Sequence, residues 1–296
     1  MIFFVHGVPD TPALWRPLIS ALDLKPGDYT APALPGFGCE VPRGFVRTKD
    51  GYAAWLVAQM EAVGTPVHLV GHDWGALLAL RAASVRPDLV ASWCVTNAVI
   101  DGQYQGHRAA RAWATPILGE LTMMGMRDTA RLQAGLMSGG MPEDLAREEA
   151  PQVDLTMRQS ILALYRSANG LRFRGPWVDD LRNLPQRGQL FWGENDPFVD
   201  LTVAERFARE RAFPLHVETG AGHWACNERA QAFGDVLKGF WEIRGLGPGK
   251  HPQGAAVAII RALPRFTLRE VQRVFTPVCR ASVAANRLAR DPGLAV

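Results

Sequence analysis

The sequence predicts an α/β protein: a mostly parallel sheet with helices on both faces and a helical cap inserted between two of its strands. Three observations carry this. Short apolar runs rich in β-branched and aromatic residues recur, each ending in a glycine-containing loop. Stretches with helical spacing lie between them, and strands that alternate with helices pair in parallel, because each crossover needs a helix's length of chain. From about residue 98 to 184 the alternation stops and the pattern is helical throughout.

A chain of 296 residues is long enough for one large α/β domain with an insertion. With 48% hydrophobic and 21% charged residues it has the composition of a globular protein, which excludes fibrous and disordered classes. The net charge of +3 is unevenly placed: residues 246–296 carry Lys250 and seven arginines against Glu270 and Asp291, a local +6 that leaves the rest at −3. The four cysteines, Cys39, Cys94, Cys226 and Cys279, lie far apart without metal-type spacing, so reduced thiols and a cytoplasmic setting are expected. The start lacks the basic region of a signal peptide, and no run reaches the length of a membrane span.

Ile2–Val5 reads as a buried strand, followed at once by His6-Gly7-Val8-Pro9-Asp10. Gly7 permits a turn in which a backbone N–H points into a cavity, and Pro9 keeps Val8 out of helical geometry. Residues 12–22 read as a helix with Leu14, Trp15, Leu18 and Leu22 on one side. Residues 28–33 read as a strand ending in the turn-rich Leu34-Pro35-Gly36-Phe37-Gly38. Thr48 is placed to N-cap a helix over 49–63, with Tyr52, Leu56, Met60 and Val63 at helical spacing; Tyr52 is therefore a packing residue. Residues 66–70 read as a buried strand, 76–84 as a helix of small and apolar residues, and 89–97 as the next strand.

Helical patterns then cover 109–124, 127–136, 142–149 and 157–167. This cap carries Trp113, Trp177, Met123, Met124, Met126, Met137, Met141 and Met157; methionine fills irregular apolar space, so a lid over an apolar pocket is expected. Residues 188–192 return to strand. Gly193-Glu194-Asn195-Asp196-Pro197 lies at its carboxyl end, where open α/β sheets carry ligand residues. A helix over 201–210, a strand over 213–218, a loop over 219–224 and a helix over 229–243 complete the unit. Gly245-Leu246-Gly247-Pro248-Gly249 is a linker by composition. Beyond it, Thr267-Leu268-Arg269-Glu270 has the spacing of a capping box, and Arg261, Arg265, Arg269 and Arg273 recur every four residues. A solvated basic face is the default reading, and no nucleic-acid motif accompanies it.

Gly71-His72-Asp73-Trp74-Gly75 stands between the strand 66–70 and the helix 76–84. A small-x-nucleophile-x-small pentapeptide in that setting is a nucleophile elbow, a strained turn that lifts its middle side chain into a cavity. Here the middle residue is Asp, whose covalent intermediate would be an ester on a carboxylate. A carboxylate needs no base at neutral pH and attacks an electrophilic sp3 carbon, such as one in an epoxide or bearing a halogen. Asp also serves as a helix N-cap, and the pentapeptide alone does not separate the two roles. Asp196 and His223 supply the separation: each follows a strand and lies in a glycine-containing loop, and nucleophile, acid, histidine is the required chain order.

On His6-Gly7-Val8-Pro9, Gly71-His72-Asp73-Trp74-Gly75, Gly193-Glu194-Asn195-Asp196 and Gly222-His223-Trp224, the chain resembles the α/β-hydrolase superfamily, in its epoxide hydrolase and haloalkane dehalogenase branch, over residues 1–244. The resemblance implies a core of 1–97 and 185–245 with a cap of 98–184, and leaves 246–296 as a basic extension of unreadable role. It implies Asp73 as nucleophile, His223 as the base that activates water and Asp196 as the acid that orients it. The Val8 and Trp74 N–H groups would form the oxyanion hole, with a cis Val8–Pro9 bond. No metal or organic cofactor is called for. The substrate would be a small apolar epoxide or haloalkane, with water as second reactant and Trp74, Phe37, Trp113 and Trp177 as candidate substrate contacts. An epoxide oxygen leaves as an alkoxide and needs a proton donor. Tyr165 resembles the second cap tyrosine of epoxide hydrolases, and Tyr104 or His107 would be its partner. A halide needs N–H donors instead; Trp74 supplies one, but Val8 stands where many dehalogenases have Asn. A binding protein on a hydrolase fold is the non-enzymatic alternative. One departure stands out: most members of the branch have two further strands before H-G-x-P, whereas five residues precede His6. A short sheet, a start inside the gene, or an extension after Gly249 that covers the exposed edge would each account for it; the extension is expected to pack against the body or a second subunit of a homodimer.

Overall fold

The structure is a computed structural model that describes residues 1–242. The basic extension, with its capping-box spacing and arginine repeat, lies outside the described residues. Six strands form one sheet: β1 (Ile2–Val5), β2 (Tyr29–Thr30), β3 (Val67–His72), β4 (Val90–Thr96), β5 (Gly188–Gly193) and β6 (Leu215–Glu218). Their spatial order is β2-β1-β3-β4-β5-β6, and every neighbouring pair is parallel. The chain runs from β1 outward to β2 and then returns to the other side of β1 for β3. That reversal opens a crevice at the carboxyl ends of β1 and β3, the place where open α/β sheets bind ligands.

Strand residues alternate between two cores, as a period of two requires. Phe3, Val5, Leu69, Val95, Leu190 and Trp192 enter one cluster, built with α2 (Lys49–Val63), α3 (Trp74–Val85) and α10 (Leu201–Arg211). Ile2, Phe4, Val70, Cys94 and Phe191 enter the other, with α1 (Arg16–Ala21), α11 (Ala225–Glu228) and α12 (Ala230–Glu242). Helices therefore cover both faces.

Between β4 and β5 the chain makes only helices: α4 (Arg108–Ala114), α5 (Leu118–Gly125), α6 (Thr129–Ser138), α7 (Glu143–Glu149), α8 (Leu155–Ser167) and α9 (Pro176–Asp179). This is the inserted helical cap. The helix expected over 109–124 is two helices. Pro116 lacks the N–H that would continue α4, and Ile117 takes φ 70°, a left-handed value that a β-branched residue rarely adopts. The strand expected over 28–33 shrinks to two residues because Pro32 has no N–H to give the sheet edge. The helix expected over 12–22 begins as a 3-10 turn, Pro12–Trp15, before α1, and the one over 229–243 is preceded by the separate short α11. Met157 is fully buried. Met123, also buried, and the exposed Met124 line a surface groove of about 460 Å³ between α5 and α8 together with Leu162 and Arg166. No helix among the described residues is long and apolar enough to cross a membrane.

Candidate active site

The turn from β3 into α3 brings strand and helix into close approach. A Cβ on Gly75 would lie 2.0 Å from the Val5 carbonyl oxygen, and one on Gly71 would lie 2.6 Å from the Gly75 carbonyl oxygen, so neither position accepts a side chain. Asp73 between them takes φ 49° and ψ −122°, a strained conformation for a non-glycine residue. Its side chain makes no capping bond to α3, which removes the helix-cap reading. Instead Asp73 Oδ1 accepts the Val8 N–H at 2.9 Å, and Oδ2 lies 3.5 Å from His223 Nε2. Gly7 is required for this meeting, because a Cβ there would lie 2.6 Å from Asp73 Cβ. The Val8–Pro9 peptide is cis.

His223 Nδ1 lies 2.8 Å from Asp196 Oδ2. Asp196 is itself held by three further hydrogen bonds: Asn97 Nδ2 donates to its Oδ2 at 2.9 Å, and the N–H groups of Phe198 and Val199 donate to Oδ1 at 2.8 and 3.0 Å, in the loop that follows β5. All three side chains are buried. Burial alone would raise the Asp73 and Asp196 carboxyls, but His223 outweighs it and holds both below the ordinary range. Burial likewise disfavours the imidazolium, and the two carboxylates outweigh it, holding His223 well above the usual imidazole value.

Tyr165, on α8, is fully buried, with its ring edge-on to Trp74 at 5.4 Å and to Trp113 at 4.8 Å. Burial first, and the Asp73 charge second, keep its hydroxyl protonated. Tyr104 donates its hydroxyl proton to the Phe198 carbonyl at 2.7 Å, so that proton is committed. His107 lies beside Tyr165. Its Nδ1 accepts the Ala110 N–H at 3.2 Å, which assigns the proton of a neutral ring to Nε2, and its ring packs edge-on to Tyr165 at 6.1 Å. Burial keeps that ring neutral, at about 4. The Trp74 indole Nε1 is buried without a hydrogen-bond partner.

Two of the candidate substrate contacts lie elsewhere. Trp177 gives its indole N–H to Asp50 at 2.7 Å and stacks on Phe173, one layer removed from Trp74. Phe37 is a core residue, edge-on to His6 and Tyr52. Both are large apolar residues in favourable positions on the chain, and only tertiary packing shows that their faces are already used.

The structure also brings in residues that motif reading passed over. Asp10 is fully buried; its Oδ1 accepts the Trp224 indole N–H at 3.0 Å, and its Oδ2 has no partner, with His72 Nε2 at 3.8 Å. Glu149, on α7, is fully buried against Thr11. The signal for Asp10 was its place directly after Pro9; nothing local marks Glu149 within the acidic run of α7.

Comparisons with known proteins bear on family and fold. The alpha/beta hydrolase family matches residues 2–236. A haloalkane dehalogenase of Mycolicibacterium paratuberculosis is 29% identical over 147 residues, covering 45% of this chain and 49% of that protein. An epoxide hydrolase of Caballeronia sordidicola is 34% identical over 90 residues, covering 29% of this chain and 27% of its own. The chain thus spans about half, or less, of these curated relatives. Epoxide hydrolase 3 of Xenopus tropicalis is 23% identical, over 81% of this chain and 71% of its own. Among solved structures, the haloalkane dehalogenase DbeA of Bradyrhizobium elkani superposes with a TM-score of 0.64 at 23% identity, over 81% of this chain and 88% of its own. The epoxide hydrolase VrEH1 of Vigna radiata does so with 0.65 at 19%, over 81% and 90%. Fold, elbow and matched span lead to one conclusion: this chain belongs to the α/β hydrolase family.

Proposed function

We propose that the protein is an epoxide hydrolase that converts small apolar epoxides to vicinal diols through an ester on Asp73. The observation that carries this reading is the Asp73 carboxylate itself, lifted off the elbow, bonded to the Val8 N–H and facing His223. A core of residues 1–97 and 185–245 supports the triad, and the cap, residues 98–184, supplies the proton donors. An Asp73 oxygen attacks an epoxide carbon; the C–O bond breaks, and the alkoxide takes a proton from Tyr165, with His107 Nε2–H as the second donor. His107 is preferred to Tyr104 because the Tyr104 proton is already given to Phe198. Alkylation removes the Asp73 charge, and with it one of the two carboxylates that keep His223 protonated. With that carboxylate neutralised, His223 is a neutral imidazole in the ester and acts as the base, oriented by Asp196. Water attacks the Asp73 carboxyl carbon, its proton passes to His223, and the oxyanion is met by the Val8 and Trp74 N–H groups, each worth on the order of 3 kcal/mol. The tetrahedral intermediate collapses with cleavage of the ester C–O bond, the departing diol oxygen takes the proton from His223, the proton of the regenerated carboxyl returns to the Tyr165 phenolate, and the Asp73 carboxylate keeps one oxygen from water.

A second reading is haloalkane dehalogenation on the same triad. It is favoured by one observation, the buried and unpartnered indole N–H of Trp74, a donor that a departing halide would accept. Turnover of styrene oxide beside 1-bromobutane, with His223→Ala in parallel, decides between them. Diol without halide release, and an Asp73 ester trapped in His223→Ala, is the expected result. Halide release without diol moves the assignment to dehalogenase. No product and no ester with either substrate overturns both and leaves a binding role. Single turnover in ¹⁸O-labelled water should place the label in Asp73, not in the first diol formed; label in the diol would rule out the ester.

A further inference from the structure

The cap touches the core at the two loops that carry the reacting groups. The Gly139 carbonyl accepts the backbone N–H of His223 at 2.8 Å, and a side chain on Gly139 would collide with Trp224. Ten residues on, Glu149 reaches the other loop. Its Oε1 accepts both the backbone N–H of Thr11, at 3.2 Å, and the Thr11 hydroxyl, at 2.9 Å. The same hydroxyl accepts the Ala13 N–H and so caps the turn at Pro12–Trp15. Oε2 of Glu149 is buried without a partner, as is Oδ2 of Asp10, the residue before Thr11. A fully buried carboxylate with an unpaired oxygen is costly, and its retention calls for a gain elsewhere.

The loop it holds is the one that completes the nucleophile's surroundings. Residues 8–11 supply the Val8 N–H on Asp73 Oδ1 and the Asp10 carboxyl behind it. The site a Gly7 Cβ would fill lies 2.9 Å from both Asp73 Oδ1 and Asp10 Oδ2, so the two carboxyls converge on one small space. We propose that Glu149 is a positioning residue: from the cap it holds residues 8–11, and with them the Val8 donor and the Asp10 carboxyl, in register with Asp73. Seating of the cap and assembly of the oxyanion hole are then one event. The inference rests on the ester mechanism above for its kinetic consequence, and on the loop contacts for its structural one.

Glu149→Ala, Glu149→Gln and Thr11→Val separate the possibilities. The rate of ester formation and the rate of ester decay are read in single turnover with styrene oxide. Hydrogen–deuterium exchange is read over residues 6–14. Ester decay should slow about tenfold to a hundredfold in Glu149→Ala, because a displaced oxyanion donor acts on that step. Ester formation should change far less. Thr11→Val should move the same way by less, and Glu149→Gln, which keeps an acceptor for Thr11, should rescue most of the rate. Exchange over residues 6–14 should rise in the two damaged variants and not in Glu149→Gln. Decay and exchange at wild-type values in folded Glu149→Ala would overturn the proposal; if that variant does not fold, the same result in Thr11→Val would. Faster exchange with unaltered decay would also overturn it, leaving Glu149 a purely structural anchor. A wild-type protein that forms no ester fails the reaction assignment instead, and the exchange data still decide whether Glu149 holds the loop.

Discussion

Asp73 is useful because three neighbours agree on its charge and direction. Val8 gives it a hydrogen bond, His223 a counter-charge, and Gly7 the room to stand where it does. Gly7→Ala should therefore cost more than a core overpacking of about 1–3 kcal/mol would suggest in function, since the new methyl meets Asp73 directly; activity should fall below detection while circular dichroism still reports a folded sheet. Tyr165→Phe removes the proton donor of the proposed mechanism but keeps the ring contacts with Trp74 and Trp113. Epoxide opening should slow by roughly a hundredfold or more, the range for a lost general acid, with thermal stability little changed. An unchanged rate of ester formation would shift the role of proton donor to His107. At this scale the sequence was most readable where chemistry needs a fixed local setting. Asp73, Asp196 and His223 each sit in a loop that names itself. Tyr104 and Trp177 were less readable, because a hydroxyl or indole looks the same in sequence whether its proton is free or given to Phe198 or Asp50.

The elements place those residues, and each has a local reason to form. α8 begins at Asp154, whose carboxylate accepts the Met157 N–H at 2.7 Å, and four residues of its buried face, Met157, Ile161, Leu164 and Tyr165, follow at helical spacing. Asp154→Ala should destabilise the protein by about 1 kcal/mol, the usual worth of an N-cap, read by denaturant midpoint. Because α8 carries Tyr165, the same change should weaken epoxide opening before it weakens ester decay. The alternation of Ile2–Val5 between the two cores and the small-residue face of α3 were visible in the chain, since period two and close helix–strand packing leave their mark on composition. The breaks within the cap and the shortening of β2 turn on Pro116, Ile117 and Pro32, where backbone limits override the apolar pattern.

For the molecule as a whole, burial of ionisable groups links stability to pH. Burial is the main reason Glu149 is raised from 4.5 to about 7; Thr11 opposes the rise by hydrogen bonding, Glu148 adds to it, and Arg16 opposes it, while Asp10 faces it from the core. A carboxyl that binds its proton more tightly when folded stabilises the fold below its unfolded value. That contribution is lost as pH rises from about 4.5 to 7, by about 3 kcal/mol for a shift of this size. Asp73 and Asp196 act in the opposite sense, but only at lower pH, as their lowered values require. Thermal melts should show Glu149→Gln more stable than wild type at pH 8 and level with it at pH 5; equal melting at both would mean that Glu149 is not proton-linked to folding. The sequence by itself determined the parallel α/β plan, the inserted cap and the loops that carry Asp73, Asp196 and His223, because each is written in local periodicity or a short loop. Only the tertiary structure decided which cap groups reach the site and that Asp10 and Glu149 stand behind it. Those depend on contacts between residues more than a hundred positions apart, and no local pattern encodes which distant partner a buried side chain will meet.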